Sequence, residues 1–313
     1  MNLVFLGTPT FAKDILEGLH TKHTILGVIT QTDKPFGRKK ILKAPETKQY
    51  CIIHDIPCFQ PIKAQEIPAI LEQIESQHAI EAIIVVAYGK ILPKTVTSTY
   101  LCLNLHGSIL PYFRGASPVQ HSIINDYLHF GLTVIAMDEG LDTGDILATK
   151  TIHKQQVQQK LLEEVFKTLV PHSIELLDSV LNSLKNNVIT RQAQEHTQAT
   201  YCTKLQKKDG ILNLENAKAC YLRYLALHDR GISLVCQYGM LKINEITGYE
   251  ETPLESHFPK GTILEIDSKQ NRFSLSCTRG KLWISAVTPE NKPKMSALSF
   301  LQSKGLKVGD TLC

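Results

Sequence analysis

The chain has 313 residues, 34 Lys+Arg against 30 Asp+Glu for a formal net charge of +4, and 43% hydrophobic and 20% charged residues. That length suits two domains of roughly 100 to 200 residues each, and the composition is that of a globular protein with no apolar run near the ~20 residues a membrane span needs. The start, Met1 to Pro9, has neither the basic segment nor the small-residue cleavage site of a secretory leader, so the protein is expected in the cytoplasm and off the membrane.

Leu3 to Leu6 reads as a strand, Gly7 to Thr10 as a turn, and Phe11 to Leu19 as a helix carrying Phe11, Ile15 and Leu19 at intervals of four. Thr8 or Thr10 is the expected cap of that helix. A single glycine there is no dinucleotide fingerprint, which needs G-x-G-x-x-G. Ile25 to Thr30 predicts a second strand. Gln31 to Pro45 then places Lys34, Arg38, Lys39, Lys40 and Lys43 against one acid, Asp33, with Pro35, Gly37 and Pro45 arguing for an irregular loop. Such a basic finger suits a phosphate backbone. Helices follow at Glu46 to His54 and Gln65 to Gln77, separated by an extended Pro57 to Phe59. Ala82 to Ala87 has the Ile/Val run of a strand buried on both faces of a parallel sheet.

Leu101 to Leu105 is the next apolar run, and it carries Asn104 and His106 two positions apart, on one strand face. Gly107, Ser108 and Pro111 stop the strand, so an amide and an imidazole stand at a strand end, where open parallel sheets bind ligands. Alone, such a pair is more often buried and satisfied by backbone groups. Ser117 to Ile124 reads as helix and Gly131 to Met137 as a strand entering Asp138-Glu139-Gly140-Leu141-Asp142-Thr143-Gly144-Asp145, an acidic loop with two glycines. Ile146 to Ile152 is extended and Lys160 to Leu184 is a long helix. The alternation of strands and helices predicts a doubly wound, mostly parallel α/β sheet.

Arg191 to Thr203 is polar, with Gln192, Gln194, His196 and Gln198, and reads as a linker. Beyond it come a helix, Ala217 to Leu227, and short strands at Ser233 to Cys236, Met240 to Ile246, Gly261 to Glu265, Phe273 to Ser276 and Lys281 to Val287, the pattern of a small β-barrel. The expected division is therefore 1–188, a linker 189–205, and 206–313. Residues 204 to 313 hold 16 Lys+Arg against 11 acids, whereas residues 1 to 203 hold 18 against 19, so the basic excess sits in the C-terminal third. The eight cysteines contain no C-x-x-C pair, which argues against structural zinc and redox motifs, and no metal is expected.

Asn104, His106 and Asp142, with an apolar rim of Tyr88, Ile91 and Leu92, form a candidate site for acyl transfer. The amide donates to an oxyanion, the imidazole shares that role or moves a proton, and the carboxylate fixes the imidazole. A substrate amine needs no enzyme nucleophile, and a triad through Ser108 lacks its G-x-S-x-G elbow.

Asn104-Leu105-His106-Gly107-Ser108-Ile109-Leu110-Pro111, then Arg114-Gly115-Ala116, then Leu141-Asp142-Thr143-Gly144, resembles the motif set of the folate-dependent formyltransferases. Phe5-Leu6-Gly7-Thr8-Pro9, Val86-Ala87-Tyr88-Gly89, the basic loop and the β-rich C-terminal part follow in the same order, so the resemblance covers nearly the whole chain. It implies a Rossmann-like catalytic domain with an OB-like barrel, 10-formyltetrahydrofolate as donor co-substrate, and the α-amino group of methionine on initiator tRNA as acceptor. It makes Asn104, His106 and Asp142 catalytic. Ser108, Ile109, Leu110 and Pro111 would border the folate, and Tyr88, Gly89, Ile91, Leu92, Asp138 and Gly140 would line its pterin pocket. Lys34, Phe36, Arg38, Lys39, Lys40 and Lys43 would meet the tRNA, with the enzyme acting as a monomer.

Some residues depart from the family pattern. Thr10 stands where Asp is usual, Ile109 for Leu, and Ser117 for Ala; Ala226 to Ser233 replaces an Asn-Pro-Trp-Pro element at the entrance to the barrel. The competing readings are a formyltransferase for a nucleotide-sugar amine or glycinamide ribonucleotide, a folate hydrolase, and a non-catalytic RNA-binding module. The C-terminal domain argues against the ribonucleotide and hydrolase readings, the basic loop discriminates against the nucleotide-sugar one, and the intact Asn104, His106 and Asp142 set argues against the RNA-binding module.

Overall fold

The computed structural model describes residues 1–37, 40–251 and 258–313. They pack as two compact units. The first comprises Met1–Val119, His129–Gln158 and Glu164–Thr203; the second comprises Gln120–Leu128, Gln159–Glu163 and Lys204–Cys313.

In chain order the first unit begins with β1 (Asn2–Gly7), α1 (Thr10–His20) and β2 (Thr24–Ile29), then the short strands β3 (Lys34–Phe36) and β4 (Ile41–Lys43). It continues through α2 (Glu46–Ile53), β5 (Cys58–Phe59), α3 (Ile67–Glu75), β6 (Ala82–Val86), α4 (Lys94–Thr99), β7 (Cys102–His106) and β8 (Arg114–Gly115). After α5 (Pro118–Ile124), which from Gln120 on belongs to the second unit, come β9 (Gly131–Ala136), β10 (Ile146–Thr151), α6 (Leu162–Lys185) and β11 (Tyr201–Cys202). Among the described residues the main sheet has the order β10-β9-β7-β6-β1-β2-β5. The five strands from β7 to β5 are mutually parallel. β9 runs against both β7 and β10, with His106 opposite Thr133 and Leu103 opposite Ala136. The strand after the Asn-x-His run therefore returns alongside it, and its exit carries the acidic loop back toward Asn104.

The β6 run is buried at every position, as its unbroken Ile/Val composition requires of a strand covered on both faces. One side of the sheet packs on α3 through Val4, Leu6, Ile83 and Val85 against Ile67, Leu71 and Ile74, and this cluster also takes in Tyr88 and Leu92. Burying about 25 cal/mol per Å² of apolar surface there dominates the stability of this layer. Neither Thr8 nor Thr10 caps α1: Pro9 holds the cap position in an extended conformation with no side-chain bond, and Thr8 donates instead to the Tyr88 carbonyl at 3.3 Å. The basic stretch is more regular than Pro35 and Gly37 suggested. β3 and β4 pair antiparallel, with Pro35 opposite Leu42, and Gly37 at φ +70° with Lys40 at φ +49° supplies the turn. Proline is tolerated because this two-stranded ribbon has free edges.

The second unit contains α7 (Ala217–Leu227) and the antiparallel strands β12 (Ile232–Cys236), β13 (Gly239–Glu250), β14 (Ile263–Asp267), β15 (Arg272–Ser276) and β16 (Lys281–Thr288). β17 (Met295–Ser296) and α8 (Ala297–Lys304) close the sequence of elements. The strand order is β12-β13-β16-β15-β14, with β17 beside β16. Its two edges are joined at one end by the last residues: Ile263 donates to Asp310 O, Leu312 to Gly261 O, and Gln237 to Leu312 O. Where the formyltransferase pattern has a proline-rich element, α7 instead runs to Leu227 and turns through His228–Arg230 into Gly231 at φ +94°.

Candidate active site

Asn104 and His106 lie on one face of β7, and Asp142 reaches both. Its Oδ1 accepts from Asn104 Nδ2 at 3.3 Å, and its Oδ2 lies 3.6 Å from His106 Nδ1. The same Oδ2 accepts the Gly115 backbone N–H at 2.7 Å. A carboxylate only accepts, so the Asn104 amide must turn its nitrogen toward it, which leaves that nitrogen's second proton for another acceptor.

His106 is oriented from its other side. Its Nε2 lies 2.9 Å from the Phe113 carbonyl oxygen, which only accepts, so the neutral ring carries its proton on Nε2 and turns the Nδ1 lone pair toward Asp142. A proton taken at Nδ1 is then held against a carboxylate. His106 is buried and Asp142 nearly so, which strengthens that attraction relative to bulk water.

Phe113 and Gly115 are themselves fixed. Arg114–Gly115 pairs in parallel with Tyr201–Cys202. Gly115 has φ +106°, and a Cβ there would meet Cys202 O at 2.5 Å, so the position demands glycine. The Cys202 thiol donates to Phe113 O at 3.2 Å. Burial, and after it the Asp142 charge, push that thiol up to about 12, so it stays protonated at neutral pH and is a poor nucleophile. Ser108, the other nucleophile candidate, is fully buried and donates to Tyr112 O at 2.6 Å, which occupies its hydroxyl proton.

The remaining candidates fall into three places. In the turn, Leu110 packs with Ile135 and Ile146, the Leu110-Pro111 bond is cis, and Ile109 and Pro111 are half-buried. After β6, Gly89 has φ +77°, Leu92 is buried and Ile91 is 86% exposed. The Tyr88 ring is packed in the α3 cluster and its hydroxyl has no partner among the described residues; burial pushes it up to about 12. Met137, just before the acidic loop, packs against that cluster. In the loop Asp138 Oδ1 accepts from Gly140 N and Thr143 Oγ1, and Lys94 pairs with Glu139. The basic hairpin exposes Phe36, Ile41 and Leu42, with Lys43 over the Phe36 ring and bonded to Glu46, and Lys34 bonded to Gln31. Lys40 stands in its turn, while Arg38 and Lys39 lie outside the described residues.

The residues that hold this site together include several with no motif behind them. Arg114 is 1% exposed and donates through Nε and Nη2 to Gln194 Oε1 at 3.1 and 2.6 Å. Gln194 Nε2 donates in turn to the carbonyls of Asp142 and Gly144 at 2.9 and 2.7 Å. Thr200 supplies its hydroxyl to Phe113 N and its carbonyl to Arg114 N, both at 2.8 Å. The polar stretch read as a linker is thus bonded along the site. A buried arginine beside the Asn-x-His strand, which must find acceptors somewhere, is the one sequence signal that points to it.

A parallel α/β sheet with an amide, an imidazole and a carboxylate on one face, followed by an antiparallel β unit, has the architecture of a group-transfer enzyme. Residues 1–168 match the formyl transferase family and residues 204–305 match the formyl transferase C-terminal domain. The chain belongs to the formyl transferase family. It is 41% identical over 316 residues to a methionyl-tRNA formyltransferase of a Nitratiruptor species, covering 99% of each chain. It is 39% identical over 317 residues to one of Helicobacter pylori, covering 100% of each. Among solved structures, an N-formyltransferase from Helicobacter canadensis in complex with folinic acid and dTDP-3-aminofucose has a TM-score of 0.63 at 16% identity, over 94% of this chain and 99% of that one. Among the described residues no helix is long and apolar enough to cross a membrane.

Proposed function

We propose that the chain transfers a formyl group from 10-formyltetrahydrofolate to the α-amino group of methionine on initiator tRNA. The observation that carries the chemistry is the Asp142 carboxylate facing the Asn104 amide and the His106 imidazole together. The free N–H of Asn104 donates to the formyl oxygen as the amine nitrogen attacks the formyl carbon and the oxygen gains charge. His106 Nδ1 takes the proton that the amine loses, and Asp142 stabilises the resulting imidazolium. Collapse of the tetrahedral carbon breaks its bond to folate N10, which leaves with a proton returned from His106. No covalent enzyme intermediate and no metal enter this scheme.

Ser108, Ile109, Leu110 and Pro111 border the folate in this reading, with Tyr88, Gly89, Ile91, Leu92, Asp138 and Gly140 around its pterin. Lys34, Phe36, Arg38, Lys39, Lys40 and Lys43 meet the acceptor end of the tRNA, and the basic residues of 206–313 hold its body through phosphates. In this reading residues 1–188 carry the catalytic groups, 189–205 brace them and lead on to 206–313, and the enzyme is monomeric and cytoplasmic. Curated relatives named for methionyl-tRNA share 39 to 41% identity at full length, which supports tRNA as acceptor.

The test is incubation with labelled 10-formyltetrahydrofolate and either methionyl-tRNA or a nucleotide-linked amino sugar. Label should pass to methionyl-tRNA, and His106→Ala should slow that transfer at least ~100-fold. Label on the amino sugar alone would sink the proposal.

A further inference from the structure

Asp142 is held in an unusual way. Its backbone lies at φ +54°, a left-handed conformation uncommon outside glycine that Asp adopts more readily than most residues. Its side chain is gripped by Asn104 and Gly115, but those bonds fix the carboxylate, not the peptide that carries it. The peptide is gripped by Gln194. One amide nitrogen donates to the carbonyls of Asp142 and Gly144, which flank Thr143 and so set the direction of the loop on both sides of it.

The orientation of this glutamine is determined by chemistry. Arginine offers only donors and a peptide carbonyl only accepts, so Gln194 must turn Oε1 to Arg114 and Nε2 to the loop. Both amide protons and both lone pairs are then used, in a side chain 6% exposed. Arg114 is in turn bonded through Nη2 to His196 Nδ1 at 3.1 Å. Neutral acceptors thus hold a buried guanidinium, an arrangement costly to build merely for stability. Its outcome is one fixed amide aimed at the loop that bears the carboxylate.

We infer that Gln194 is a positioning residue for formyl transfer: it holds the Asp142 loop at the height where the carboxylate meets Asn104 and His106, and Arg114 locks its orientation. This rests on the reading of Asp142 as catalytic. Gln194 touches no reacting atom, so its removal acts on the chemical step through Asp142 and leaves binding of folate and tRNA in place. A displacement of about 1 Å at a catalytic group can lower a rate up to ~100-fold.

The experiment compares four proteins in the methionyl-tRNA assay: Gln194→Glu, Gln194→Met, Asp142→Asn, and the Gln194→Glu/Asp142→Asn double variant. Gln194→Glu keeps an acceptor for Arg114 but presents no donor to the loop, while Gln194→Met removes both halves. Thermal unfolding should show Gln194→Glu close to the parent and Gln194→Met less stable. Both should lose at least ~10-fold in kcat, with KM for donor and tRNA within about twofold of the parent. Added to Asp142→Asn, Gln194→Glu should cost less than about twofold more, because two groups acting as one unit do not lose rate additively. Parental kcat in Gln194→Glu, a loss confined to KM, a loss in Gln194→Met alone, or a fully additive double variant would each overturn the inference. Parental turnover in Asp142→Asn would instead remove the catalytic reading beneath it.

Discussion

Two polar stretches, one before Asp142 in sequence and one after it, converge on this residue and hold different parts of it. The turn from Leu103 to Gly115 grips the side chain, through the Asn104 amide, the Gly115 N–H and the imidazole of His106. The stretch from Arg191 to Thr203 grips the backbone, through Gln194, and braces the turn itself through Thr200 and Tyr201–Cys202. The first acts mainly through side chains of particular types, an amide and an imidazole, with one backbone N–H beside them. The second acts largely on peptide groups, which every residue has. Chemistry is visible in side chains, whereas the scaffolding that aims it is written mostly in backbone acceptors and donors.

That contrast can be broken at the point where both grips meet. A Cβ at Gly144 would stand 1.8 Å from the Ala136 carbonyl oxygen, a backbone atom that cannot step aside. Gly144→Ala should therefore lift the loop away from both grips, lowering formyl transfer by at least ~100-fold and Tm by several degrees. Parental steady-state kinetics in this variant would mean that the loop tolerates displacement, and neither grip would matter.

A smaller effect is expected from the brace on the turn. Thr200→Val leaves the Phe113 N–H without its acceptor, and Phe113 O is what orients the His106 ring. The site is exposed, so the loss should stay within ~1 kcal/mol of stability, with a kcat decrease of severalfold. An unchanged kcat would show that the second stretch supports the Asp142 loop but not the imidazole.

The smallest effect concerns pH. Tyr112, which bonds Gln198 at 3.0 Å, stacks on His129 with ring centres 3.4 Å apart, so this pair ties the turn to the polar stretch. Burial lowers the His129 pKa from its ordinary value, so the unfolded chain takes up that proton first as pH falls. The contribution of His129 is thus whole above about pH 6.5 and is lost progressively below it, toward the folded value. His129→Phe should remove that component: between pH 7 and pH 5 the parent should lose slightly more Tm than the variant. Parallel Tm profiles would show that the ring is not desolvated.

Much of the fold was legible. The Ile/Val run of Ala82 to Ala87 and the fourfold spacing of Phe11, Ile15 and Leu19 announce elements that are present, the strand ending one residue earlier at Val86. The catalytic candidates were legible because Asn104, His106 and Asp142 are each followed within a few residues by glycine, which ends an element and exposes what precedes it. What escaped has a common cause. α4 carries Thr-Val-Thr-Ser-Thr, a β-prone composition held helical by its setting, and β8 and β11 are two-residue pairs without any period. Gln194 escaped because a polar segment rich in glutamine has the composition of a tether until a buried arginine is known to face it.

The parallel pairing of Arg114–Gly115 with Tyr201–Cys202 has a consequence for the order in which the protein is made. The bonds from Arg114 to Gln194 close across 80 residues, with all of α6 between them. The Asn104 strand and the Asp142 loop leave the ribosome well before Gln194 and Cys202 follow, so a nascent chain can hold a complete sheet and still lack the brace on the Asp142 loop.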